Sequence, residues 1–179
     1  MMGMVFTELL DMIEQTHSLD VVDAVLERAG LAGAYTSVGN YDDAELGALV
    51  AALHAETGAP VDDLLEAFGH HVFHAFVRAH GAYFAPHDTA VSFLRVLESH
   101  VHVEVRKLYP DARPPLFEVT HDEPAKFILD YRSDRGLYVF ASGLIAACLT
   151  HFGNAHRMTA MTDLSEGQGT HVSFVLEPA

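Results

Sequence analysis

The chain has 179 residues, of which 50% are apolar and 20% charged. This composition excludes a disordered protein and favours one domain over residues 1–179. Ten basic and 25 acidic residues give a formal net charge of −15, which disfavours binding to nucleic acid or to an anionic membrane surface. The single cysteine, Cys148, excludes an internal disulfide and a cysteine-based zinc site. No apolar run is long enough to span a bilayer and no signal peptide is evident, so we expect a cytoplasmic protein.

The first half of the chain is predicted to be helical, because its apolar residues recur every three or four positions. Gly30 is expected to end one helix, and Asp42 or Asp43 to cap the start of another. Pro60 suits the first turn of a helix that continues toward His80, before residues 81–88 (GAYFAPHD) break the pattern. The apolar positions are Phe6, Leu9, Leu10, Ile13, Val21, Val22, Val25, Leu26, Leu46, Leu49, Val50, Leu53, Leu64, Leu65 and Phe68.

A longer helix is predicted from about Thr89 to Leu108, and the prolines that follow it are expected to end it. These are Pro110, after Tyr109, and the pair Pro114-Pro115. The stripe that predicts this helix consists of Leu94, Leu97, Val101, Val105 and Leu108.

After Pro115 the apolar period changes to two, which predicts strands. One further helix, with the thiol of Cys148 on its apolar face, separates them. The fold class is therefore α+β, with a helical N-terminal half packed on a C-terminal half that contains an antiparallel sheet and helices. The alternating positions are Phe117, Val119, Phe127, Leu129, Tyr131, Val172, Phe174 and Leu176.

Three hydrogen-bond donors recur at every second position in Tyr131, Ser133 and Arg135. In an extended backbone they share one face. Such a row suits an anionic ligand with one or two carboxylates or a phosphate. A polar strand face that meets water gives the same pattern, and this alternative stays open on spacing alone.

Two groups of histidines are candidate ligands. His100 and His102 point to nearly opposite sides of a helix, so they do not form a chelate. His102 flanks the apolar stripe, where it is either a packed core residue or an axial ligand to iron. His70, His71 and His74 offer an i, i+4 pair for zinc or copper, or else a solvated helix face.

The order and spacing of these motifs resemble the haem-nitric oxide/oxygen binding (H-NOX) family. The likeness consists of His102, Leu108-Tyr109-Pro110, Pro114-Pro115 and Tyr131-x-Ser133-x-Arg135. It extends over essentially the whole chain, from Met-x-Gly-x-Val at the start through Asp20-Val21-Val22 and Leu65-x-x-Phe68-Gly69. The resemblance implies haem b (iron protoporphyrin IX) held between the two halves.

The resemblance also implies a role for each residue of the site. His102 matches the axial ligand of the haem iron. Tyr131, Ser133 and Arg135 match the residues that hold the haem propionates, and Pro115 matches the proline that distorts the porphyrin.

The gas ligand is expected to depend on apolar residues on the distal side of the haem. Oxygen-binding relatives place a tyrosine where this chain has Phe140, so the resemblance implies a preference for nitric oxide, with carbon monoxide also binding. A contribution from His74 as a donor is less expected. The cysteine cluster that binds zinc in some bacterial relatives is missing. The distal positions are Val5, Leu9, Phe73, Phe140 and Leu144, with Val72 close by.

The function implied is a haem-based gas sensor without catalytic groups of its own. Bacterial relatives act on a separate histidine kinase or cyclic-di-GMP enzyme, and nitric oxide weakens the iron–histidine bond. Two alternatives remain: a haem-free regulatory module that binds another anionic ligand at Arg135, and a metal-dependent hydrolase that uses His70, His71 and His74.

Overall fold

A computed structural model describes residues 1–108, 112–166 and 169–179. The helices are α1 (Gly3–Thr16), α2 (Leu19–Ala29), α3 (Asp43–Thr57), α4 (Val61–Phe84), α5 (Ala90–Val96), α6 (His102–Leu108) and α7 (Tyr138–His151), and a π-helical turn at Leu97–Val101 joins α5 to α6. The strands are β1 (Leu116–Glu123), β2 (Lys126–Ser133), β3 (His156–Asp163) and β4 (Thr170–Pro178). The predicted stop at Tyr109-Pro110 lies outside the described residues.

Local sequence signals account for several helix ends. Gly30 ends α2 with a φ of 68°, a left-handed conformation that glycine adopts without strain. The Asp42 carboxylate caps α3 by accepting a hydrogen bond from the backbone N–H of Ala44 at 2.9 Å. Thr89 and Ser92 form a reciprocal capping box at the start of α5. The predictions at Gly30 and Asp42 are therefore confirmed.

Two helices differ from their predicted form. The sequence predicts that segment 81–88 ends the fourth helix, but α4 continues to Phe84 past a kink at His80, whose φ and ψ are −135° and 36°. The helix predicted over Thr89–Leu108 is interrupted by the π-helical turn. There the backbone N–H of His102 donates to the carbonyl of Leu97, five residues back, so the turn is wider than an α-helical one.

The four strands form one antiparallel sheet in the order β1-β2-β4-β3. The alternating apolar residues of β2 and β4 are buried, as predicted, and Phe117 of β1 pairs with Tyr131 of β2. The sequence pattern missed β3. This edge strand is mostly exposed, so the alternation of buried and exposed residues that reveals the other strands is weak in it.

The buried side chains form two clusters. One joins α1, α2, α3 and the first half of α4, and the other joins the second half of α4, α5, α7 and the sheet. The α+β class and the packing of a helical half on a half that contains the sheet are thus confirmed.

Helices α4 and α7 cross with their backbones in direct contact, at Gly69 and Gly143. A Cβ added at Gly69 would lie 2.3 Å from the carbonyl oxygen of Phe140, and one at Gly143 would lie 2.2 Å from that of Glu66. Both separations are far below van der Waals contact, so only glycine fits at either position. None of the helices in the described ranges combines the length and the apolar composition that crossing a bilayer requires.

Candidate functional site

A cavity lies between the two buried clusters, and residues of both line it. Most of its surface is apolar. The helical half contributes residues of α1 and α4 and the two residues before α1. The others come from α5, the π-helical turn, α6, α7, the strands β1 and β2, and the segments 112–115 and 135–137. Of the residues predicted for the site, those that line the cavity are Val5, Phe73, His102, Pro115, Tyr131, Ser133, Arg135, Phe140 and Leu144.

Leu9 is not among the cavity-lining residues of the described chain, although the sequence places it at the site. It follows Val5 by one turn of α1 and is 1% exposed within the N-terminal cluster. Helical spacing assigns Val5 and Leu9 to the same face. This spacing does not show how far the cavity extends along that face beyond Val5.

The donors Tyr131, Ser133 and Arg135 all line the cavity. Arg135 lies just beyond the end of β2, and its backbone N–H donates to Oγ of Ser133 at 3.1 Å. The phenol of Tyr131 is buried at 2% exposure. Burial raises its pKa, while hydrogen bonds with Ser133 and with the backbone of Leu137 act in the opposite direction. The phenol is therefore neutral and able to donate at pH 7.

The Arg135 guanidinium is held in place by two acceptors. Its Nε donates to Oδ2 of Asp43 at 2.6 Å, and its Nη1 donates to the backbone carbonyl of Arg113. Burial raises the pKa of Asp43, but the hydrogen bond and charge of Arg135 contribute to a net lowering. Since a guanidinium carries five N–H donors, Arg135 retains donors for an anionic ligand.

The His102 imidazole lines the cavity with only 12% of its side chain exposed. Its Nδ1 lies 2.8 Å from Oε2 of Glu98. An ionised carboxylate only accepts hydrogen bonds, so Nδ1 carries the proton and Nε2 retains a lone pair for a metal. The exposed ring of His100 is not among the lining residues, and it contacts Oγ of Ser99 instead.

Opposing effects set the protonation states of His102 and Glu98. Burial is the largest effect on His102 and lowers its pKa, although the hydrogen bond to Glu98 raises it in part. Burial raises the pKa of Glu98, but hydrogen bonds with Arg106 and His102 produce a net lowering. The site at pH 7 therefore contains a neutral imidazole beside an ionised carboxylate.

An aromatic contact connects the imidazole to the donor row. The ring of Phe117 lies 5.8 Å from the His102 ring and 5.6 Å from the Tyr131 ring, measured between centroids. Phe117 and Tyr131 face each other across β1 and β2. The sheet register thus sets the spacing between His102 and the three donors.

The remaining walls are mainly apolar. Cys148 lines the cavity as a buried thiol, and burial raises its pKa to about 12, so it is inert as a nucleophile. His74 is exposed on α4 and is not among the lining residues. Sequence reasoning missed His80 and Tyr83, which reach the cavity because α4 continues beyond its kink.

The histidines of α4 are not gathered into one cluster. The Nε2 atom of His71 lies 3.1 Å from Glu8 and 3.3 Å from Asp11, both on α1. Within the described ranges, these three residues are the group whose spacing suits a metal ion. His70 and His74 do not belong to this group, so only His71 of the three predicted histidines lies in it.

The cavity combines the neutral imidazole of His102, mainly apolar walls and a group of carboxylate-binding donors. These features suit a flat, mainly apolar cofactor that contains a metal and bears carboxylates. His102 would ligate the metal, and Tyr131, Ser133 and Arg135 would bind the carboxylates. The structure thus defines a haem-binding class of protein.

Comparison with known proteins supports this class. A family model described as Haem-NO-binding (HNOB) matches residues 2–160. The unliganded Fe(II) H-NOX protein from K. algicida is 33% identical, with a TM-score of 0.91, and the match covers 100% of this chain and 97% of that one. A search of curated proteins found no match.

Two more distant structures share the fold. A point mutant of the H-NOX protein from T. tengcongensis is 21% identical with a TM-score of 0.90, over 99% of this chain and 97% of that one. The S. oneidensis H-NOX protein in its Fe(II)NO ligation state is 24% identical with a TM-score of 0.87, over 100% and 99%. The chain therefore belongs to the haem-NO-binding (H-NOX) family, whose cofactor is haem.

Substitution of Arg135 is expected to weaken haem retention more than substitution of Ser133. Arg135 offers a charge and a bidentate fork, and charged hydrogen bonds contribute about 1.5–3 kcal/mol against about 1 kcal/mol for neutral ones. We therefore expect haem transfer to an excess of apomyoglobin to be about tenfold faster in Arg135→Ala and only a few fold faster in Ser133→Ala. Equal transfer rates in the two variants would contradict the propionate role of Arg135.

Proposed function

We propose that this chain is a haem-based gas sensor that binds nitric oxide, and also carbon monoxide, at a ferrous haem b ligated by His102. The observation that carries the proposal is the neutral His102 imidazole in the wall of an apolar cavity whose donor residues suit propionates. Haem supplies an iron that binds diatomic gases. The chain supplies the axial ligand, the carboxylate-binding donors and a wall at Pro115 against which the cofactor packs.

The apolar residues of the cavity support nitric oxide as the ligand rather than oxygen. Val5, Phe73, Phe140 and Leu144 offer no side-chain hydrogen-bond donor. Iron-bound dioxygen carries partial negative charge, which is costly to bury without a donor. Bound nitric oxide carries less charge and depends less on such a donor, so these walls favour it.

The ferrous protein is expected to bind nitric oxide and carbon monoxide but to form no stable oxygen complex in air. Absorption spectra recorded under each gas and in air-saturated buffer test this expectation. A persistent oxy-ferrous spectrum in air would contradict the assignment. Tyr83→Phe would then show whether the hydroxyl of Tyr83, in the cavity wall, is the donor that the sequence did not reveal.

The output of the sensor is proposed to be a change in binding to a separate protein. H-NOX domains are sensor domains rather than catalytic ones, and a histidine kinase or a cyclic-di-GMP enzyme is the proposed kind of partner. The proposal treats residues 1–179 as one sensor domain, because residues of both buried clusters line the same cavity. Pull-down of partners by the haem-loaded protein with and without nitric oxide would test the output, and an unchanged set of bound proteins would contradict it.

A further inference from the structure

The Glu98 carboxylate connects His102 to two other parts of the fold. Its Oε2 lies 2.8 Å from Nδ1 of His102 and accepts a hydrogen bond from the backbone N–H of Phe117 at 3.3 Å. Its Oε1 accepts a hydrogen bond from Nη2 of Arg106 at 2.5 Å. One side chain therefore links the imidazole, the start of β1 and helix α6.

The π-helical turn places the carboxylate within this network. Glu98 lies inside the turn and His102 follows directly after it, with its backbone N–H bonded to Leu97. The side chain of Glu98 is 26% exposed and that of His102 is 12% exposed. Their hydrogen bond is thus partly shielded from water. An ion–dipole contact in such a place is stronger than one at a fully exposed surface.

We propose that Glu98 is a positioning residue for the axial ligand, and that it strengthens the bond between His102 and the haem iron. By accepting the Nδ1 proton, the carboxylate fixes the ring orientation and the tautomer with Nε2 available. A negatively charged acceptor also makes the ring a stronger electron donor to a metal. This inference rests on the proposed ligation by His102, and it adds a residue that sets the strength of that ligation.

A second acceptor lies near the His102 ring. The backbone carbonyl of Pro115 contacts the His102 imidazole, although its effect on the ring is weaker than that of Glu98. If this carbonyl takes the Nδ1 proton when haem is bound, the side chain at position 98 has no influence on the iron. The two arrangements therefore predict different responses to substitution of Glu98.

The test uses haem-loaded wild-type protein, Glu98→Gln and Glu98→Leu. Resonance Raman spectra of the unliganded ferrous forms report the iron–histidine stretching frequency, and a redox titration reports the midpoint potential. We expect the frequency to fall and the potential to rise in the order wild type, Gln, Leu. Glutamine retains a neutral acceptor of the same shape, whereas leucine has none. Haem dissociation should be about tenfold faster in Glu98→Leu. This is the lower end of the loss of metal affinity that follows removal of a group hydrogen-bonded to a metal ligand.

Glu118→Gln is the matched control, because it removes one negative charge beside Phe117 from an exposed position. It should leave the stretching frequency unchanged. Wild-type frequency and potential in both Glu98 variants would overturn the role of Glu98, as would an equal shift in Glu118→Gln. Wild-type protein that binds no haem would instead overturn the proposed function and this inference with it. If Glu98→Leu fails to fold, Glu98→Gln decides the question.

Discussion

Replacing His102 with glycine is expected to abolish stable haem binding, seen as loss of the Soret band after purification. The imidazole of His102 lines the cavity, its Nδ1 is bonded to Glu98, and Nε2 remains for the iron. Glycine removes the axial ligand and leaves a space of imidazole size. Added free imidazole should therefore restore haem binding and the Soret band.

His100→Gly is the matched control for this substitution. His100 is two residues away but exposed on another side of the helix, in contact with Ser99 rather than with the cavity. It should retain haem at the wild-type level. Loss of haem in His100→Gly together with retention in His102→Gly would show that the assignment of the axial ligand is wrong.

Substitution of either crossing glycine is expected to have the largest effect on stability. In Gly143→Ala the new Cβ would lie 2.2 Å from the carbonyl oxygen of Glu66, and in Gly69→Ala it would lie 2.3 Å from that of Phe140. Both obstacles are backbone atoms, so the helices themselves must separate. We expect each variant to lower the free energy of unfolding by about 3 kcal/mol, the upper end for overpacked positions. Urea unfolding of the apoprotein and the haem-loaded protein measures the change.

Gly47→Ala provides the control for these two variants. Gly47 lies within α3, and an added Cβ there meets no atom within 4 Å. Because alanine favours a helix interior, this variant should gain about 0.5–1 kcal/mol. A comparable loss of stability in all three variants would contradict the close contact between α4 and α7.

The sequence predicts the parts of this fold that depend on local chemistry. The caps at Gly30 and Asp42 follow from backbone conformation and side-chain acceptors, and the alternation in β2 and β4 follows from burial of one face. The extension of α4 past His80 was not predictable from periodicity. Gly81 and Pro86 are typical of a helix end, whereas packing against the C-terminal cluster holds Phe84 in the helix.

In the site, too, the features that depend on local sequence could be predicted, whereas those that depend on tertiary structure could not. Strand alternation accounts for two members of the donor row, because β2 places Tyr131 and Ser133 on one face. Arg135 lies beyond the end of β2 and is held at the cavity by Asp43 and the carbonyl of Arg113, which spacing does not reveal. The contact between Glu98 and His102 depends on a π-helical turn, which an apolar stripe with α-helical spacing does not reveal. Leu9 was assigned to the site from the period of α1, which identifies a face of the helix but not how far a cavity beside it extends.

The crossing of α4 and α7 also determines how these two helices can move. Beside the two glycines, the ring of Phe68 on α4 packs against the ring of Phe140 on α7 with centroids 4.9 Å apart, so side chains as well as backbone atoms hold this point of contact. Helix α4 runs from Val61 to Phe84 with a kink at His80, and its crossing at Gly69 lies between the N-terminal end and the cavity residues Phe73 and Phe76. The crossing is therefore a pivot point about which α4 can turn relative to α7. A displacement of α4 at Phe73 and Phe76, before the kink, would be accompanied by an opposite displacement of its N-terminal end, against the helical half of the molecule.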